Sequence, residues 1–105
     1  MNIGKLVILA TGLILSGTTF AKDGEALAKI YNCMMCHAVT DKSTGPTFKA
    51  VAAKYSGDKK AQTKLEKKTR SGGAGEWGNL PMPATARSVP DEDIKEMVRW
   101  ILTLK

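Results

Sequence analysis

The chain has few of the residues from which metal and catalytic sites are usually built. Its 105 residues include one histidine and two cysteines, fewer than the four ligands of a structural zinc site. A disulfide between cysteines only three positions apart would close too small a loop to stabilise a domain. No segment alternates apolar and polar residues convincingly, and no internal repeat is present. These absences favour helices and argue against a disulfide scaffold.

The sequence also has no apolar run long enough to span a membrane. The one short run, near the start, has another explanation. Residues 6–15 are mostly apolar, but a membrane span needs roughly 20 such residues. Lys5 precedes the run, and Thr19-Phe20-Ala21 supplies small residues at both cleavage positions. This is the pattern of a secretory signal peptide, residues 1–21, that is removed to leave a domain at 22–105. An uncleaved N-terminal anchor is the alternative.

The remaining residues predict an all-α domain punctuated by glycine and proline. A helix is expected at 23–31, capped by Asp23, and a second at 46–57 after Gly45. A lysine-rich third helix is expected at 58–70, and a last one at 91–104, with Trp100 in its core face. The intervening stretch 76–87 has no helical period and is predicted to be a loop.

Cys33, Cys36 and His37 form a C-x-x-C-H pentapeptide, the pattern of covalent haem attachment. Two thiols at this spacing can add to the two vinyl groups on one porphyrin edge, and the adjoining imidazole can bind the iron. A thioredoxin-like dithiol would need a βαβ context, which this helical pattern lacks. A zinc site would need further ligands. Haem is therefore the favoured interpretation.

A second iron ligand is expected to be a methionine, because the chain has no second histidine. Met34 and Met35 lie inside the attachment turn, on the wrong side of the ring. Met97 falls on the packed face of the last helix, where it is better explained as a core residue. Met82 lies between two prolines, which stiffen the backbone of its loop. Met82 is the predicted ligand.

These motifs together resemble class I cytochrome c, and specifically the small bacterial cytochrome c-551/c-552 group. The resemblance is dispersed over the whole of 22–105. It rests on the pentapeptide, Gly45-Pro46, the stretch 51–55, Glu76-Trp77-Gly78, Pro81-Met82-Pro83 and the end of the last helix at 99–102.

The resemblance implies a small cytochrome c fold, with four to five helices wrapped around one covalently bound haem c. Cys33 and Cys36 would form the thioether bonds. His37 and Met82 would bind the iron from its two faces, leaving no open position for catalysis.

The resemblance also implies roles for residues around the ligands. The carbonyl of Pro46 would orient His37, and Trp77 would donate its indole N–H to a haem propionate. The group commonly has an asparagine after the methionine loop, where this chain has Thr85. Its hydroxyl could form a hydrogen bond near Met82.

The function implied is that of a periplasmic electron carrier, monomeric and not an enzyme. Its partners would be an oxidase, nitrite reductase or peroxidase, and an upstream donor such as a cytochrome bc1 or cd1 system, with no nucleic acid and no stable membrane insertion. The net charge of +6 and the lysines of the third helix could steer acidic partners. The rival interpretation is a gas sensor or peroxidase-like haem protein in which Met82 is not an iron ligand.

Overall fold

The computed structural model describes residues 23–104 together with positions 4, 8 and 10–12. Apart from those isolated positions, the predicted signal peptide lies outside the described residues. Within the described part the fold is all-α, as predicted. It consists of α1 (Gly24–Ile30), a 3₁₀ turn (Cys33–Met35), α2 (Phe48–Lys54), α3 (Ala61–Ser71) and α4 (Asp91–Leu102).

The start of the first helix is the predicted one, but the second and third helices begin later than expected. Asp23 caps α1 by accepting the amide of Glu25 at 3.0 Å. The predicted start of α2 at Gly45-Pro46 is wrong, because the Thr47 hydroxyl accepts the amide of Ala50 at 3.0 Å and so fixes the first turn after it. The predicted start of α3 at 58 is wrong for a similar reason. Asp58 accepts the amide of Lys60 at 2.8 Å, and this local bond competes with helical pairing.

The last helix begins where it was predicted, at Asp91, but it ends at Leu102 rather than at 104. Pro90 occupies the N-cap position without a side-chain hydrogen bond. The predicted loop at 76–87 is confirmed, since it contains no helix.

The core is organised around α4, which packs against α1, α2 and α3. Ile94 and Val98, which lie four residues apart on one face of α4, are buried together with Met97. Trp100 is half-buried against this cluster, which is completed by Leu27, Ala28 and Val89.

The contact between α1 and α4 depends on two features that the apolar pattern did not predict. At Gly24, a Cβ atom would overlap the carbonyl oxygen of Glu96 and the Cβ of Trp100, so glycine permits this close crossing. Asp93 is only 3% exposed and accepts a 2.6 Å hydrogen bond from the Tyr31 hydroxyl. A buried carboxylate needs such partners, and this one joins the two helices.

Candidate haem site

One cleft brings all six predicted site residues together. It contains about 1190 Å³ of space free of protein atoms, including open solvent at its mouth. The six are Cys33, Cys36, His37, Pro46, Trp77 and Met82. The rest of the lining is mostly apolar and includes Phe48, Val51, Leu65, Met97, Val98 and Ile101.

The attachment turn follows directly from the end of α1. Asn32 has φ +62°, a left-handed conformation that asparagine tolerates better than most residues. The 3₁₀ turn then begins at Cys33, whose carbonyl accepts the amide of His37 at 3.0 Å. This folding places two thiols and one imidazole in a single short turn.

The environment of the turn does not favour the alternatives to haem. Burial raises the pKa of the Cys33 thiol, outweighing the lowering effect of a backbone hydrogen bond, whereas reactive dithiols depend on a lowered thiol pKa. Among the residues that the structure describes, no group of three or more histidine, cysteine or acidic side chains could hold a metal ion. The zinc alternative therefore finds no ligand set in this part of the chain.

The imidazole of His37 is fixed by a hydrogen bond to the backbone. Its Nδ1 lies 2.8 Å from the carbonyl oxygen of Pro46. A carbonyl can only accept, so Nδ1 carries the proton and donates it. The neutral ring then keeps its lone pair on Nε2, which is the form that binds a metal.

Packing restrains the same ring. Phe48, which is only 4% exposed, stacks on His37 with ring centroids 5.0 Å apart, and meets Trp100 edge to face at 5.4 Å. A Cβ atom at Gly45 would lie 2.8 Å from Cε1 of His37, so only glycine allows the chain to pass there. The imidazole is thereby connected to the core through α2 and α4.

Met82 is held mainly by its backbone. Its amide and carbonyl each form a 2.9 Å hydrogen bond with Gly73, an isolated antiparallel bridge. At Gly72, with φ +68°, a Cβ atom would overlap the carbonyl oxygen of Met82. The methionine segment thus lies against a glycine pair at the end of α3, in addition to being stiffened by its prolines.

Thr85, whose hydroxyl was a candidate for a hydrogen bond near Met82, bonds the end of α3. Its hydroxyl donates to the carbonyl of Thr69 at 2.7 Å, and its amide lies 3.3 Å from the carbonyls of Thr69 and Arg70. These bonds satisfy carbonyl groups in the last turn of α3. The Thr85 hydroxyl therefore fastens the loop to α3.

Trp77 lines the cleft, but 46% of its surface is exposed. Burial therefore gives no reason of its own for the predicted propionate contact, which stays a prediction. The Nζ of Lys54 lies 4.5 Å from the centre of the Trp77 ring, within range of a cation–π interaction.

The ligand candidates are predictable from the sequence, but most of the residues that hold them are not. The bridge from Gly73 to Met82 and the Phe48 stack leave no periodic pattern in the sequence. Nor does any local pattern indicate that Gly72 and Gly73 contact Met82. Met97 was assigned to the core, and the structure places it both there and in the lining of the cleft.

Comparison with known proteins agrees with this geometry. A family model described as cytochrome c matches residues 21–105. The chain belongs to the cytochrome c family. It is 39% identical to cytochrome c-551 of Pseudomonas aeruginosa, with 95% of this chain and 94% of the relative covered. It is 42% identical to cytochrome c-552 of Hydrogenobacter thermophilus, with 96% and 99% covered. The crystal structure of wild-type Nitrosomonas europaea cytochrome c552 superposes with a TM-score of 0.73 at 46% identity, covering 77% of this chain and 99% of that one.

The resemblance stated from the sequence is thus confirmed: the chain is a class I c-type cytochrome that carries covalent haem c. The residues present fit that group. The cleft offers an apolar lining, two cysteines in C-x-x-C spacing, and a histidine whose Nδ1 is already bonded. A neutral thioether comes from Met82 in the same cleft.

Replacing Gly72 by alanine is expected to displace the Met82 segment and to lower the free energy of unfolding by about 1–3 kcal/mol, from strain at positive φ together with overlap. Gly78→Ala is the matched control. Gly78 also has positive φ, +113°, but a Cβ atom there meets nothing within 4 Å. Urea unfolding of the haem-loaded proteins measures both. Equal losses in the two variants would contradict the proposed close approach at Gly72.

Proposed function

We propose that the chain is a periplasmic monohaem electron-transfer protein rather than an enzyme. In this proposal Cys33 and Cys36 form the thioether bonds, and His37 and Met82 bind the iron. One observation carries this proposal: His37 and Met82 line the same cleft. The proton of His37 is fixed on Nδ1, and Met82 is held by backbone hydrogen bonds to Gly73.

Haem c, when bound, supplies the one-electron couple between ferric and ferrous iron. The role of the protein is to hold the ligands still, so that little reorganisation accompanies each transfer. Pro46 and Phe48 restrain His37, while Gly73 restrains Met82. A neutral sulfur ligand favours the ferrous state and raises the potential relative to a second histidine.

Binding of the iron by both His37 and Met82 would also favour a carrier. A gas sensor or a peroxidase-like enzyme needs an iron position that an external molecule can reach. With both His37 and Met82 holding the iron, small molecules would find no free position there. Cys36, which is exposed, would hold one edge of the haem close to the surface, where partner proteins could exchange electrons with it.

Met82→Ala tests the ligand assignment. The oxidised variant should lose the far-red sulfur-to-iron charge-transfer band, its potential should fall, and the reduced form should bind carbon monoxide. Met35→Ala is the control, because Met35 is 75% exposed in the attachment turn, and it should retain the band. Absence of the band from the unmodified protein at neutral pH would overturn the proposal.

The proposed location rests on the signal-peptide pattern of residues 1–21. Among the described residues, no helix is long and apolar enough to cross a membrane. We expect the protein to be recovered from the periplasmic fraction with an N-terminus at Lys22. Mass spectrometry of the purified haem protein measures this, and an uncleaved chain would contradict it.

The proposed partners are redox proteins with acidic surfaces: an electron donor and an acceptor such as an oxidase, nitrite reductase or peroxidase. Lys59, Lys60 and Lys67 of the α3 region are exposed. Other cations of α3 are engaged within the protein: Lys64 bonds Asp58 at 2.7 Å and Arg70 bonds Asp91 at 2.7 Å. Lys59, Lys60 and Lys67 are therefore the lysines available for steering.

Loss of one of these lysines should slow electron exchange with an anionic reagent. We expect Lys60→Gln and Lys67→Gln to lower the rate of oxidation by ferricyanide roughly twofold at low salt, with the difference vanishing as salt screens the charges. Arg99→Gln removes the same charge from α4, where Arg99 pairs with Glu96. Equal effects of all three variants would show that net charge alone, and not the α3 face, governs the rate.

A further inference from the structure

Two residues at the end of α2 hold the tip of the loop that follows α3, residues 75–78. Lys54 donates from Nζ to the carbonyl of Glu76 at 2.9 Å, and the same ammonium lies 4.5 Å from the centre of the Trp77 ring. Tyr55 donates its hydroxyl to the Glu76 carboxylate. One helix end thus contacts the backbone, the carboxylate and the indole of two consecutive loop residues.

The loop tip has little rigidity of its own. Glu76 and Trp77 lie between Gly75 and Gly78, which have φ values of +115° and +113°. Glycine restricts the backbone less than any other residue. A 2.9 Å hydrogen bond from the Gly75 amide to the Gly78 carbonyl closes the tip. Because nearly half of the Trp77 surface is exposed, core packing does not fix the indole either.

The charge around Glu76 strengthens the contact with Tyr55. The hydrogen bond from Tyr55 is the largest cause of a lowered pKa of Glu76; burial opposes it, and the charges of Lys68, Lys54 and Lys64 lower the pKa further. The same hydrogen bond, with burial and the charges of Glu76 and Asp58, raises the pKa of Tyr55 to about 12. At neutral pH the carboxylate is therefore ionised and the phenol is protonated, which is the combination that the bond requires.

We infer that Lys54 and Tyr55 are positioning residues that fix Trp77 at the mouth of the haem cleft. The indole ring is thereby kept beside the cleft, where its N–H would be available to donate to an anionic propionate of the bound haem. The inference rests on the proposed function only in taking Trp77 as a neighbour of the bound haem. Exposed pairs of this kind add little to global stability, so their effect is on geometry.

The test uses the ¹⁵N-labelled, haem-loaded, reduced protein, with the Trp77 indole resonance assigned from Trp77→Phe. Lys54→Met and Tyr55→Phe should each speed hydrogen exchange of the Trp77 indole about two- to fivefold. Lys54→Arg keeps both the donor and the cation and should restore the slow rate. Lys49→Met, which removes one exposed charge from the same helix, should leave the rate unchanged.

The reduction potential gives a second readout. Tyr55→Phe removes no charge, so a fall in the reduction potential of this variant would report water entering the cleft edge. The reduction potential of Lys54→Met should fall further than that of Lys49→Met. The inference is overturned if Trp77 exchange in Lys54→Met and Tyr55→Phe equals that of the unmodified protein. The far-red band separates this outcome from failure of the proposed function: its presence with unchanged Trp77 exchange refutes only the positioning role.

Discussion

The hydrogen bond from Nδ1 of His37 to the carbonyl of Pro46 is the constraint on which the site depends. An imidazole presents a lone pair to a metal only when its proton is on the other nitrogen, and the carbonyl settles that choice. The bond also joins the attachment turn to the segment that starts α2. Phe48 then stacks on the same ring and meets Trp100 of α4, so the orientation of one side chain depends on three elements.

Met82 is held in a different way from His37. It lies in a segment without helix, where it is held by backbone pairing with Gly73 and by the absence of a side chain at Gly72. Thr85 adds a second attachment to the end of α3. Main-chain bonds of this kind position a residue without filling the space in front of it, which leaves the cleft free for a large planar group. A rigid loop beside an apolar cavity is thus a consequence of where the hydrogen bonds are made.

The sequence was most informative where a pattern has one chemical explanation. The pentapeptide ending in His37, with a single histidine in the chain, left few interpretations, and the family assignment confirmed covalent haem. Helix positions were predictable to within a few residues, because the apolar row of Ile94 and Val98 repeats at helical spacing. The helix starts were less predictable. Thr47 and Asp58 each form a local hydrogen bond that decides where a helix begins, and several neighbouring residues could have done so.

The sequence by itself determined the chemistry: which side chains are available to attach haem, that Met82 is the methionine unexplained by core periodicity, and that the domain is helical. The tertiary structure alone decided how those groups are held, because that depends on contacts between segments distant in the chain. The burial of Asp93 against Tyr31, the pairing of Gly73 with Met82 and the placement of Lys54 over the Trp77 ring all join such segments. No local pattern encodes a contact of this kind, since each partner alone is compatible with many neighbours.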